Sequence, residues 1–165
     1  MIKKKVCMLG AFAVGKTSLV QRFVHSIFSE KYITTLGVKI DKKTLHLDHG
    51  QVELILWDLA GEDEFMKVRS SYLRGSSGYL LVADGTRAET LDIAQQLNQR
   101  IKQELGGLPF ILLVNKSDLH NNWQIDQQQL EQLRAEGWQV IETSALNNDN
   151  VEAAFTELSQ RMLNA

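Results

Sequence analysis

Two continuous apolar runs limit the fold of this chain most strongly. YLLVAD, residues 79–84, and FILLVN, residues 110–115, each end on a polar residue. A strand without polar alternation has both faces covered, which is the condition inside a parallel sheet. Parallel neighbours need long crossovers, and helices supply them. Between the runs, TLDIAQQLNQRIKQEL places Ile93, Leu97, Ile101 and Leu105 four residues apart, on one helical face. Near the end, Val151, Ala154, Phe155, Leu158 and Met162 share a face, and Asp149 or Asn150 stands ready to cap it. A third apolar run, VCMLG at 6–10, stops at glycine.

One region breaks the pattern. Residues 38–47 and 51–57 are β-rich and joined only by Asp48, His49 and Gly50. A link that short permits only an antiparallel hairpin. Within 38–47 the apolar phase slips from Val38 and Ile40 to Leu45 and Leu47, which predicts a bulge near 41–44. The expected order is strand, helix, hairpin, then four helices alternating with three strands. That is a doubly wound α/β sheet of six strands, mostly parallel, with one antiparallel strand in the hairpin 38–57 and helices on both faces. Ligands bind such sheets outside the carboxyl ends of the strands.

The length of 165 residues suits one domain, 1–165, with no linker or repeat. Apolar residues at 44% and charged residues at 23% give a packed core rather than disorder. A net charge of -2 leaves no basic footprint for nucleic acid. The apolar run after Met1 is too short for a signal peptide, and no stretch is long enough to span a membrane. A lone cysteine, Cys7, cannot close an internal disulfide, in keeping with a cytosolic setting. Ile2 rules out a myristoylation start, and SQRMLNA holds no cysteine to prenylate. The expectation is a cytoplasmic protein without its own lipid anchor, reaching a membrane through a partner, or else a segment of a longer chain.

GAFAVGKT, residues 10–17, fits G-x-x-x-x-G-K-[ST] in full. The glycines let successive backbone N–H groups turn toward one anion. The helix starting near Lys16 adds its positive end. Lys16 bridges two phosphates in such a loop, and the Thr17 hydroxyl ligates Mg2+. NKSD, residues 115–118, follows a predicted strand. A carboxylate at Asp118 accepts two hydrogen bonds from the N1 and exocyclic amine of guanine, a pair of donors that adenine lacks. Asn115 either ties loops together or reaches N7, and the Lys116 stem covers the ring.

Together these stretches resemble the Ras-like small GTPases, most closely the Rab branch. The resemblance is carried by GAFAVGKT, YITTLGV at 32–38, WDLAGE at 57–62, SSYLRG at 70–75, NKSD and ETSA at 142–145, in the family's order. It implies a three-layer P-loop NTPase fold and a switch that binds GTP or GDP with Mg2+ and hydrolyses GTP. It places Ala13, Val14, Gly15, Lys16, Thr17 and Ser18 on the phosphates. Thr17, Thr35 and Asp58 would serve the metal, and Gly61 and Thr35 the γ-phosphate. Phe28, Asn115, Lys116, Asp118, Ser144, Ala145 and Leu146 would surround the base. It also implies effectors, an exchange factor and a GTPase-activating protein, all acting through two switch segments. Trp57, Phe65, Tyr72 and Leu36-Gly37-Val38 are candidates for that surface.

Four positions depart from the family. Glu62 replaces glutamine, Phe12 a small residue, Leu146 a lysine and Thr34 a proline. The first two bear on catalysis, in which Lys16, Thr35, Gly61 and residue 62 would act. The family's glutamine orients the attacking water, whereas an ionised Glu62 only accepts hydrogen bonds. At ~4 Å from a phosphate charge it would suffer about 4 kcal/mol of repulsion at an effective dielectric of 20. Phe12 adds bulk above the γ-phosphate, where a partner's arginine would enter. The expectation is slow hydrolysis or, as the alternative, a binding module held in the GTP form. Of the four acids Asp58, Glu62, Asp63 and Glu64, the metal explains Asp58, and Asp63 and Glu64 read as solvated.

Overall fold

A computed structural model describes residues 1–28, 37–48, 50–59, 61 and 68–165. Its strands are β1 (Ile2–Gly10), β2 (Val38–Leu47), β3 (Gly50–Leu59), β4 (Gly78–Asp84), β5 (Phe110–Asn115) and β6 (Val140–Glu142). They form one sheet in the order β2-β3-β1-β4-β5-β6. Every pairing is parallel except that of β2 with β3. The helices are α1 (Lys16–His25), α2 (Ser70–Leu73), α3 (Glu89–Leu105), α4 (Gln127–Ala135) and α5 (Val151–Leu163), with a 3-10 segment over Ser117–Asn122.

Alternate residues of each strand enter opposite cores, because successive side chains leave a strand on opposite faces. Val6, Met8, Leu80, Val82, Ile111 and Leu113 meet α1 and α5. Cys7, Leu9, Tyr79, Leu81, Leu112 and Val114 meet α3 and α4. The apolar runs of β4 and β5 thus serve two cores at once, and the expected three-layer α/β sandwich results. In the first core Phe23 of α1 stacks on Phe155 of α5, with ring centroids 3.9 Å apart. Burying side chains of this size stabilises by about 1.5–3 kcal/mol each.

Three local expectations change. The bulge is absent: β2 pairs with β3 in unbroken register from Val38↔Leu59 to Leu47↔Gly50. Val38 packs against the α3/α4 core, while Leu45 and Leu47 belong with the α1/α5 core. The phase slip records an edge strand that covers one face at one end and the other face at the other. The buried stripe of α3 consists of Thr90, Leu91, Ala94, Leu97, Asn98 and Ile101, with Ile93 and Leu105 at its margins. Asn98 is buried because the Tyr79 hydroxyl donates to its Oδ1 at 2.5 Å. Asn150 occupies the cap position of α5 but makes no side-chain cap. Its left-handed φ of 59° turns the amide away, and Nδ2 donates to the Glu142 carbonyl instead.

Candidate functional site

Five connections leave the carboxyl ends of β1, β3, β4, β5 and β6, and apart from Phe28, which follows α1, the predicted site residues of the described chain lie on them or on the strand and helix ends they join. The first runs from Gly10 to Lys16. A Cβ on Gly10 would lie 2.4 Å from the Val82 carbonyl oxygen, so only glycine lets β1 and β4 approach here. Ala13 and Gly15 take positive φ, 65° and 103°. Turns of this kind make concave nests of N–H groups that receive anions. The Asn115 amide donates to the Val14 carbonyl at 3.1 Å, and the Lys116 ammonium to the Ala13 carbonyl at 3.3 Å.

Lys16 and Thr17 begin α1 and are buried, and Ser18 follows them in its first turn. The Lys16 ammonium donates to the Ala11 and Gly10 carbonyls at 3.2 and 3.5 Å. Burial pushes its pKa down to about 8, with the Asp58 carboxylate opposing. The hydrogen bonds of this buried ammonium go to neutral carbonyls, and burial disfavours its charge, so an arriving phosphate is favoured. Thr17 donates through Oγ1 to Asp58 Oδ2 at 2.6 Å, both residues being buried. This hydroxyl and carboxylate are hard oxygen donors of the kind Mg2+ takes, so the residues present fit that ion. Just after β3, Gly61 lies against the phosphate loop: a Cβ on it would be 2.5 Å from Phe12 Cα. Thr35 and Glu62 lie outside the described residues, as do Tyr32, Thr34, Leu36, Asp63, Glu64 and Phe65.

On the other side, Asp118 Oδ1 accepts from the Ser144 hydroxyl at 2.7 Å. Ser144 exchanges two backbone hydrogen bonds with Asp149, which keeps the 144–149 loop closed. Ala145 is buried, whereas Leu146 is 42% exposed at the site rim. Phe28 is half-buried against the α1/α5 core. Asn115 also accepts from the Thr143 hydroxyl at 3.1 Å. Of its two open roles, tying loops together is therefore the one the contacts display.

Asp84 and Arg22 are among the residues that escaped the sequence reading. Asp84 ends β4 fully buried and pairs with Lys116 at 2.8 Å, which fixes the lysine beside the phosphate loop. A carboxylate closing an apolar strand was its signal. Arg22, in the last turn of α1, donates to the Ala145 and Leu146 carbonyls at 2.7 and 2.8 Å. Nothing in the local sequence marked it.

A glycine-rich loop at the head of a helix, facing a hydroxyl–carboxylate pair and a second carboxylate-bearing loop, defines a P-loop nucleotide-binding protein. Comparison with known proteins narrows the class. The Ras family model matches residues 5–164. Ras-related protein Rab11A of Lotus japonicus is 36% identical over 162 residues, 97% of this chain and 72% of that protein. Ras-related protein Rab-13 of Bos taurus is 32% identical over 161 residues, 96% of this chain and 79% of its own length. Ras-related protein Rab-7L1 of Rattus norvegicus is 36% identical over 170 residues, covering 97% and 82%. The chain belongs to the Ras family, in its Rab branch, and is a GTP-binding switch GTPase.

Proposed function

We propose that this GTPase works as a slow switch, with the residues gathered at the strand ends in the following roles. The 13–18 segment binds the nucleotide phosphates, and Lys16 bridges two of them. Thr17 and Asp58, joined by Thr35 in the triphosphate state, hold Mg2+, which neutralises charge on the phosphates. Asp118 reads guanine through its N1 and exocyclic amine. The Ala145 N–H accompanies it at O6, and Ser144 holds Asp118 in place. Phe28, the Lys116 stem and the exposed Leu146 cover the base. Gly61 brings the second switch to the γ-phosphate, and its tight seat against Phe12 makes that approach glycine-dependent.

The observation that carries the reading is the buried set Lys16, Thr17 and Asp58 facing the loop, with Asp118 tied to Ser144 opposite. Hydrogen exchange with GDP and with a non-hydrolysable GTP analogue tests it. Segments 28–38 and 60–74 should differ between the two, and identical protection removes the switch.

Slow turnover rests on Glu62, an acceptor where a donor–acceptor amide is expected, and on Phe12, 41% exposed at the mouth of the loop. In single-turnover GTP cleavage, Glu62→Gln should accelerate the wild-type rate. A fast wild-type rate that the substitution leaves unchanged defeats the idea. The same two residues favour a second reading, a module that stays GTP-bound and acts by binding alone, and GTP persisting on the purified protein would select it.

The partner surface is proposed to include Gly37, Val38, Trp57 and Tyr72. Trp57 and Tyr72 have ring centroids 6.2 Å apart, and the Lys5 ammonium lies 3.7 Å from the Trp57 ring.

A further inference from the structure

The phosphate loop is held from behind by a residue that belongs to none of its motifs. Arg87 Nη1 donates to the Phe12 carbonyl at 2.8 Å. Lys116 and Asn115 donate to the next two carbonyls, those of Ala13 and Val14. Three consecutive carbonyls thus each receive a side-chain donor from the β4 and β5 connections. In a trans peptide the C=O and the following N–H point in opposite directions, and no peptide bond among the described residues is cis. Drawing the carbonyls of 12, 13 and 14 toward these donors therefore turns the N–H groups of 13, 14 and 15 the other way. The positive φ of Ala13 and Gly15 completes that row.

We infer that Arg87 is a positioning residue for phosphate binding: with Asp84 it forms a brace that presets the loop amides before nucleotide arrives. The inference rests on the phosphate-loop reading given above.

The turn that presents Arg87 is built to be rigid. Asp84 Oδ1 accepts from the Thr86 N–H at 2.9 Å and the Thr86 hydroxyl at 2.7 Å. The Arg87 N–H returns to the Asp84 carbonyl at 2.9 Å. The Thr90 hydroxyl donates to the Arg87 carbonyl at 2.7 Å. Gly85 is caught between the Asn115 carbonyl, to which its N–H donates at 3.0 Å, and Trp123, whose ring a Cβ would strike. Asp84 Oδ2 meanwhile holds Lys116, so one buried carboxylate aligns two of the three donors. Arg87 itself is directed by Glu89, whose Oε1 lies 3.2 Å from Nε. Unset amides would have to be ordered on binding, and ordering opposes affinity.

The test compares GDP with GMP, measured by competition against a fluorescent GDP on nucleotide-depleted protein with Mg2+. In Arg87→Ala, GDP affinity should fall on the order of fivefold, the effect of one hydrogen bond from a charged donor at a partly exposed site. GMP affinity should stay within about twofold, because the diphosphate engages more of the preset row. Arg87→Lys, which keeps a cationic donor group, should recover most of the loss. Arg87→Met, which keeps the aliphatic stem, carries the same comparison if the alanine variant does not fold. An unchanged GDP-to-GMP ratio overturns the inference, whether both affinities fall or neither does, since a general folding role lowers them together. A wild-type protein that binds GDP no tighter than GMP refutes the phosphate-loop reading itself.

Discussion

Asn115→Asp removes one hydrogen bond at the centre of the site and puts a titratable carboxyl group in its place. The side chain is 2% exposed and bridges two connections, donating to the Val14 carbonyl and accepting from the Thr143 hydroxyl, each at 3.1 Å. Aspartate has nearly the same shape and still accepts from Thr143. Toward Val14 it sets a carboxylate oxygen against a carbonyl oxygen. Leaving the buried Val14 carbonyl without its donor costs about 1–3 kcal/mol. A loss of about 1–3 kcal/mol corresponds to roughly 5- to 150-fold weaker GDP binding if the loop bears the whole effect. The assay is GDP affinity from association and dissociation rates at two pH values. Once protonated, the carboxyl group introduced at position 115 can donate again, so part of the affinity should return as pH falls. Thr143→Val supplies the second arm: its own effect is about 1 kcal/mol. Combined with Asn115→Ala it should be less than additive, because the pair shares one bond. GDP binding within twofold of wild type at alkaline pH would show that the Val14 tie does not support the loop, and strict additivity would remove the bridge to Thr143.

Gly61→Ala should leave GDP affinity within a few-fold of wild type but abolish the exchange difference between GDP and the GTP analogue, because its Cβ would meet Phe12 backbone at 2.5 Å. Chelating Mg2+ should speed GDP release from the wild type far more than from Thr17→Ala, followed by nucleotide fluorescence, since the variant has lost the hydroxyl that sits 2.6 Å from Asp58. Phe155→Ala, far from the site and fully buried against Phe23, should cost about 3–5 kcal/mol by chemical denaturation, with the ratio of GDP to GTP affinity unmoved.

How much of this was readable in the chain depends on sequence distance. The phosphate loop is contiguous, so its glycines, Lys16 and Thr17 announced both the turn and the helix after it. The two apolar runs specified buried parallel strands because an unalternating run admits few other settings, and the short Asp48–Gly50 link left only a hairpin. The predicted bulge was a misreading of local pattern: Val38 and Leu45 serve different cores, and nothing within 38–47 says that the sheet has two covered faces. Asn115 was visible as a motif, but its choice between base and loop was not.

By itself, then, the sequence determined those features whose causes lie within a few residues: strand and helix type, the glycine-rich turn before α1, and a carboxylate placed just after a strand. It also contained the resemblance that names the family. Tertiary structure alone decided what those residues hold on to. Asn115 meets Val14 across 101 positions and Arg22 meets Ala145 across 123. Asp84, one acid at a strand end, became the anchor of Lys116 only once β4 and β5 lay side by side. Hydrogen bonds act over about 3 Å. A residue's partners are therefore set by which strand ends the sheet order brings together, and local sequence does not contain that order.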